Sequence, residues 1–498
     1  MSKNLIYDIH DKPKFGNMLI FALQQLLAIL AATIAVPTII GLPTQIPAAI
    51  FGAGVGTLIY QLFTKFKSPV FLGSSFAFLS SLSVALAYGY CGIVLGSIVA
   101  GLVYVVLALI IHFVGTGWVS KLMPPVIIGP TVTLIGLSLA GAAMGDIVKA
   151  NSSATYGSYN LVALLCGLIT FITVVLCSTQ KKRMMPRLIP FILGIVAGYV
   201  AASVFTVIGM IANVDYLKII NWEPLVNNFV DADGAFRGIS AIFNYPDFSL
   251  VEAIKELVSG GDMSAEVLAA NANATLINAG GIAEVVIAFL PVALVVFAEH
   301  IADHKKLSYI IGKDLIEEPG LKRTLLGDGV GSIAGTVFGV CPNTTYGESV
   351  GCVAITRNAS VVTITTTAIM CMVLSFISPI MALLQTIPSC VMGGVCLTLY
   401  GFIAVSGLKM FKDLDLNENK NLYVVSAILI SGIGGLTIQI PYALADNGAV
   451  AKTIQITSIA TALILGIVTN AILNKLEKKQ AAKETAPAVE EKEEPKEE

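Results

Sequence analysis

Charged residues are scarce in this chain: Asp, Glu, Lys and Arg together make up 12% of its 498 residues, about half their share in a soluble domain. The mean hydropathy is +0.83. A soluble core of this size would need a polar shell that the composition does not supply, so a soluble globular fold is excluded. The formal net charge of −2 comes without a basic stripe, which leaves no electrostatic footprint for nucleic acid. The eight cysteines, at 91, 166, 177, 341, 352, 371, 390 and 396, form no C-x-x-C pair and no metal-ligand spacing. They read as packed free thiols, with no metal and no disulfide framework. HExxH and Walker patterns are missing, which argues against an enzyme, and no cofactor is expected. The stretch MSKNLIYDIHDKPKFGN lacks the charged, apolar and small-residue series of a cleaved signal, and none is expected.

What the chain has instead is long uncharged apolar runs, such as 19–42, 91–111 and 359–388. Each is long enough for a helix to cross about 30 Å of hydrocarbon. Hydropathy predicts an all-α polytopic membrane protein of about fourteen spans, near 18–40, 46–64, 68–88, 90–114, 123–144, 159–178, 187–212, 277–303, 325–340, 342–357, 359–384, 387–408, 421–440 and 449–473. Basic residues are retained on the cytoplasmic side. With both termini cytoplasmic, the clusters Lys65/Lys67, Lys181/Lys182/Arg183/Arg187, Lys305/Lys306, Lys322/Arg323 and Lys409/Lys412/Lys420 all fall on that side.

The longest polar interruption, 213–276, then lies outside and divides the chain into halves of seven spans each. MPPVIIGPTVTLIGLSLA in the fifth span is echoed by TIPSCVMGGVCLTLYGFIA in the twelfth, with Pro124 and Gly129 spaced like Pro388 and Gly393. Homologous halves with an odd number of spans must run in opposite orientations, which is the architecture of an inverted-repeat transporter. The charged, low-complexity segment 475–498 reads as a disordered cytoplasmic tail.

Ionisable side chains inside spans cost a few kcal/mol or more unless they serve a cavity or a pair. The candidates here are Glu284, Glu299, His300, Asp303, His304, Asp328 and Glu348. Glu299 and Asp303 share one helical face, and His300 and His304 share another. EHIADHKK could be the polar end of a helix, but the LSYII that follows lets the helix continue and carry Glu299 deeper. Glu348 lies in CPNTTYGESVGCVAITR, where Pro342, Gly347 and Gly351 interrupt regular helix; GSSFAF after Pro69 makes a matching break in the third span. Irregular backbone at membrane depth is tolerated only where it is buried or lines a cavity, and two such breaks in corresponding halves point to a midplane site. Free backbone N–H groups and two carboxylates suit a planar ring of alternating carbonyls and N–H groups, such as uracil. A Na⁺ site is the rival reading.

The motifs PNTTYGES-VGCVAITR, GSSFAF, AEH and QQLLAILAATIAVP together resemble the nucleobase-ascorbate transporter (nucleobase:cation symporter-2) family, over roughly 15–474. The likeness is strongest to its bacterial uracil-transporting members. It implies a core domain (15–115 and 277–384), a gate domain (116–212 and 385–474), and short antiparallel strands in spans 3 and 10 that hold the base between them. It further implies that Glu299 and Glu348 bond the base, that Phe76 and Gly347 offer backbone N–H groups, and that Tyr346 also binds the base. Proton coupling would fall to Glu299 with Asp303 and His304, and Gln25, Ser75, Ser349, Thr356 and Arg357 would support the site. The expected activity is import of uracil with H⁺ by alternating access, in a cell-membrane homodimer. A xanthine or urate permease and a Na⁺-coupled nucleobase transporter are the alternatives. Three positions depart from the family pattern: Gln25 where His is usual, Ser349 where Asn is usual, and Asp303 where the uracil members often have His.

Overall fold

The computed structural model describes residues 5–150, 159–181, 184–231, 233–444 and 450–484. Long apolar runs without internal charge become long helices. The first half holds α1 (Phe15–Ile39), α2 (Ile46–Phe63), a short strand β1 (Leu72–Ser74), α3 (Leu79–Leu86), α4 (Gly89–Val114), α5 (Pro125–Ser138), α6 (Leu161–Ser178) and α7 (Pro190–Ala212). Then come α8 (Ser249–Val258), α9 (Ala279–Ile311), α10 (Leu321–Phe338), β2 (Asn343–Thr345), α11 (Gly347–Thr356), α12 (Val361–Leu374) and α13 (Ser389–Lys409). The last elements are α14 (Asn419–Ile433), a hairpin of β3 (Ile438–Leu444) and β4 (Val450–Ile456), and α15 (Ser458–Glu484).

Nine helices among the described residues are long and apolar enough to cross a membrane. The third and tenth predicted spans are each half helix: a strand, then a short helix, α3 or α11. The expected thirteenth span is cut short at Ile433 and the fourteenth is displaced to Ser458–Gln480, because 438–440 and 450–456 pair with each other as strands. The alternation of Ile438, Ile440, Ile454 and Ile456 has a period of two, which suits a strand. The stretch 213–276 is more than a loop: it contains α8 and the short helices Glu223–Phe229 and Ala265–Ala270. Helix α15 runs on to Glu484, so the beginning of the expected disordered tail is helical, while 485–498 lie outside the described residues.

The helices pack as two groups. Helices α1, α2, α4, α9, α10 and α12 surround the two strands; α5, α6, α7, α13, α14 and α15 pack on one another. Small residues set the closest approach in the first group. On α10, Gly331 and Gly335 face Gly56 and Gly52 of α2, and a methyl group at Gly52 would overlap the carbonyl oxygen of Gly335. In lipid, where no hydrophobic force drives helices together, such close backbone contact supplies much of the packing.

Candidate functional site

Strands β1 and β2 pair antiparallel, with Leu72 opposite Thr345, Gly73 opposite Thr344 and Ser74 opposite Asn343. Helix α2 is bonded to both strands, to the backbone of one and a side chain of the other. Leu72 N donates to Thr57 Oγ1 at 2.9 Å, and Asn343 Nδ2 donates to the carbonyl of Gly52 at 3.0 Å. Gly73 is required here, because a side chain would run into the Tyr346 ring. The Tyr346 hydroxyl donates to Ser74 O at 3.0 Å and stays buried. This side chain therefore fastens one strand to the other, and the residue reaches the cavity only beside its neighbours.

After β1 a tight helical turn, Phe76–Phe78, leads into α3, and after β2 α11 begins at Gly347, so the first N–H groups of that turn and of α11 lie next to the broken backbone. An open cavity of about 1040 Å³ meets them there, lined by Ser74, Ser75, Phe76, Thr344, Thr345, Tyr346, Gly347 and Glu348. Helix α9 adds Glu299 and Asp303, and the second helix group adds Phe191 and Phe402. Phe76 also meets the Tyr400 ring edge-on at 5.4 Å. The mouth carries Arg187, Lys305, Lys306 and Lys409, while Lys182 and Arg183 lie outside the described residues.

Helix α9 does not end at EHIADHKK. It continues to Ile311, so His300, Asp303 and His304 are buried and Glu299 is half-buried at the cavity wall. Asp303 accepts from the Thr345 hydroxyl at 2.9 Å, which ties α9 to β2. His304 lies away from the cavity lining. Its Nδ1 stands 2.7 Å from the carbonyl of His300 and must donate there. Its Nε2 then accepts from the Tyr60 hydroxyl at 2.7 Å, and the Tyr60 oxygen accepts from Ser68 at 2.8 Å. His300 turns to α10, with Nδ1 2.6 Å from Asp328 Oδ2 and Nε2 3.0 Å from Thr324 Oγ1.

The remaining expected residues separate into two places. Gln25 Nε2 donates to Ser349 Oγ, and both side chains are buried, so these two departures from the family pattern are partners in one contact between α1 and α11. Thr356 and Arg357 lie at the end of α11. Thr356 Oγ1 donates to Cys352 O at 2.7 Å, and Arg357 takes φ 57° as the helix stops. Neither lines the cavity. The sequence gives no sign that Phe191 and Phe402 line the cavity or that Tyr400 meets Phe76, because nothing distinguishes these aromatic residues locally from lipid-facing ones. The bond network of Tyr60, Ser68 and Thr324 was equally hidden, since Thr and Tyr are unremarkable in an apolar helix.

Broken helices that meet head to head beside a carboxylate-lined cavity, inside a bundle of apolar helices, define a multi-pass membrane transport protein. The xanthine/uracil permease model, described as a permease family, matches residues 16–441, and the chain belongs to that family. It is a transporter and not an enzyme. Among curated relatives, the uracil permease of Bacillus caldolyticus is 36% identical over 471 residues, 94% of each chain. The uracil permease of Bacillus subtilis (strain 168) is 35% identical over 485 residues, 97% of this chain and 98% of that one. Among solved structures, the transmembrane domain of a cyanobacterium bicarbonate transporter, BicA, aligns with a TM-score of 0.53 over 93% of this chain and 100% of that one. At 14% identity that likeness is one of fold alone.

Proposed function

We propose that this chain imports uracil together with a proton by alternating access. The observation that carries the reading is the pair Glu299 and Glu348, which reach one cavity from α9 and from the first turn of α11. Between them lie the N–H groups of the turn Phe76–Phe78 and of the start of α11. A uracil ring offers two N–H donors and two carbonyl acceptors on its rim, and this wall offers the complement: carboxylate acceptors for the N–H groups, and backbone N–H groups near Phe76 and Gly347 for the carbonyls. An anion would meet two carboxylates and be repelled. The names of the uracil permease relatives agree with this choice of base.

In this reading the group around the strands is the core domain, the other group is the gate domain, and the gate moves against the core. The fourteen-span inverted repeat draws support from two features. The strands pair antiparallel, and each is followed by a half-helix. In addition, α5 and α13 each start directly after an extended proline, Pro124 and Pro388. The basic mouth marks the cytoplasmic side, so the cavity opens inward, both termini are cytoplasmic and 213–276 is external. Glu299 is the proton-carrying group, since it lines the cavity and a change between cavity-open and cavity-closed states would change its surroundings. Asp303 stands one helical turn away to modulate it. The working unit is a homodimer.

The test is uptake of labelled uracil into proteoliposomes with an imposed proton gradient, a sodium gradient, or none, and with unlabelled xanthine as competitor. Uphill accumulation driven by protons and unaffected by xanthine is expected. Accumulation that follows sodium, or full competition by xanthine, would replace the proposed coupling or substrate.

A further inference from the structure

Helix α8 is amphipathic in an unusual sense, because its large apolar residues are not its buried ones. Ser249, Ala253 and Glu256 face the protein. Glu256 accepts from the N–H groups of Tyr90 and Cys91 at 3.1 Å each, at the start of α4, and the Ser249 hydroxyl donates to Gly339 O at 2.6 Å, just past α10. Leu250, Val251, Ile254, Leu257 and Val258 are instead exposed, by 38% to 82%. At about 100° per residue these five side chains fill one continuous arc of about 120°. Lys255, paired with Glu252 at 2.6 Å, occupies the sector between that arc and the protein, and its side chain is 64% exposed. The helix therefore has three sectors, and an environment exists for only two of them, protein and water.

The position of α8 identifies the third. It crosses the outer ends of α4 and α10, and the preceding Phe248 is held between Phe51 and Phe338, with ring centroids 5.1 and 5.2 Å away. Two residues before Tyr90, the Tyr88 hydroxyl donates to Glu284 at 2.5 Å, which puts this end of the bundle level with Glu284 of α9. From Glu284 to Lys305 at the basic mouth is about 30 Å along α9, at 1.5 Å per residue, which is one hydrocarbon thickness. Helix α8 thus lies in the plane where the hydrocarbon of one leaflet meets its headgroups. We propose that α8 is an interfacial helix whose apolar arc is seated in the lipid, with Lys255 toward water and Glu256 toward the protein. It anchors the strand-bearing helix group at a fixed depth on the side opposite the basic mouth.

The experiment uses the full chain in lipid nanodiscs, with Trp118 and Trp222 replaced by Phe and one tryptophan introduced as Ile254→Trp, Leu257→Trp or Lys255→Trp. Each variant is first required to keep the parent's elution profile and thermal transition. Two independent positions on the arc guard against the loss of one. The expected result is blue-shifted emission from Ile254→Trp and Leu257→Trp, quenched by phosphatidylcholine brominated near the glycerol end of its acyl chains and shielded from aqueous iodide. Lys255→Trp should show the reverse. Iodide quenching of the arc positions would overturn the proposal in favour of a water-facing surface. Insensitivity to both quenchers would overturn it in favour of a protein partner, such as a second copy of this chain.

Discussion

The hydroxyl of Thr345 donates to Asp303 Oδ2 at 2.9 Å. This bond joins the edge of β2 to α9 one helical turn beyond Glu299, so it ties the strand that shapes one wall of the cavity to the helix that carries Glu299.

Removing that bond leaves a buried carboxyl without its hydroxyl partner, which costs about 1.5–3 kcal/mol for a bond to a charged group. Thr345→Val is expected to lower the efficiency of substrate uptake by about tenfold or more, and Thr345→Ser to recover most of it. Measured initial rates over a substrate series separate the two. Equal uptake by the Val and Ser variants would mean that the hydroxyl has no part in holding the site.

The two cavity carboxylates should fail differently. Glu348→Gln keeps one acceptor oxygen and removes the charge, so it should weaken substrate binding by about tenfold or more while leaving proton-driven accumulation intact at saturating substrate. Glu299→Gln should retain exchange of labelled for unlabelled substrate across the membrane and lose uphill accumulation. Exchange and gradient-driven uptake assayed on the same proteoliposomes check both. Uphill accumulation by Glu299→Gln would move the proton site elsewhere.

Much of this arrangement is legible in the sequence, for physical reasons that stop at the range of local signals. Uncharged runs of twenty residues dictate helices, and Pro342 and Gly73 lie where helix does not continue, whereas Gly347 and Gly351, expected to interrupt helix, sit inside α11. The register of Gly73 with Thr344 is another matter. It joins segments from opposite halves of the chain, and the Gly52–Gly335 contact that allows it is itself nonlocal. Glu299 and Glu348 stand out because charge in lipid is costly. Tyr60 and Thr324 do not, although they complete the bonds of His304 and His300. Helix α8 misleads for a related reason: a short amphipathic helix is expected to bury its apolar face against protein, and here the protein takes the polar one.

Gln25 and Ser349 form one contact, so their effects should not add. Each Ala variant is expected to lower thermal stability by an amount equivalent to about 1 kcal/mol, and the double variant by little more than the larger of the two. A thermal-shift series in detergent closes the cycle. Full additivity would show that the two residues act independently.

Close packing of α2 on α10 leaves no room for a side chain at Gly52, where the obstacle is backbone oxygen and cannot rotate away. Gly52→Val is expected to destabilise by about 1–3 kcal/mol or more and to lower the yield of folded protein. Gly16, with open space around it, serves as the control, and Gly16→Ala should be neutral.

The last prediction concerns pH and the segment that carries α8. Burial is the largest influence on the Glu256 carboxyl and raises it above the ordinary 4.5, against the opposing pull of the Tyr90 and Cys91 N–H groups. A carboxyl raised in the folded state binds its proton more tightly folded than unfolded, so the folded state gains stability as pH falls through the raised value. That gain is complete below about 4.5, the value in the unfolded chain. Glu256→Gln has no such proton to bind. The melting temperature of the parent minus that of Glu256→Gln should therefore rise as pH is lowered from neutral toward 4.5. Glu266 and Asp247, both raised by burial, shift in the same direction but are present in both proteins and cancel in the difference. A difference that stays flat, or that falls with acidification, would mean that the bonds to Tyr90 and Cys91 outweigh the cost of burying the charge.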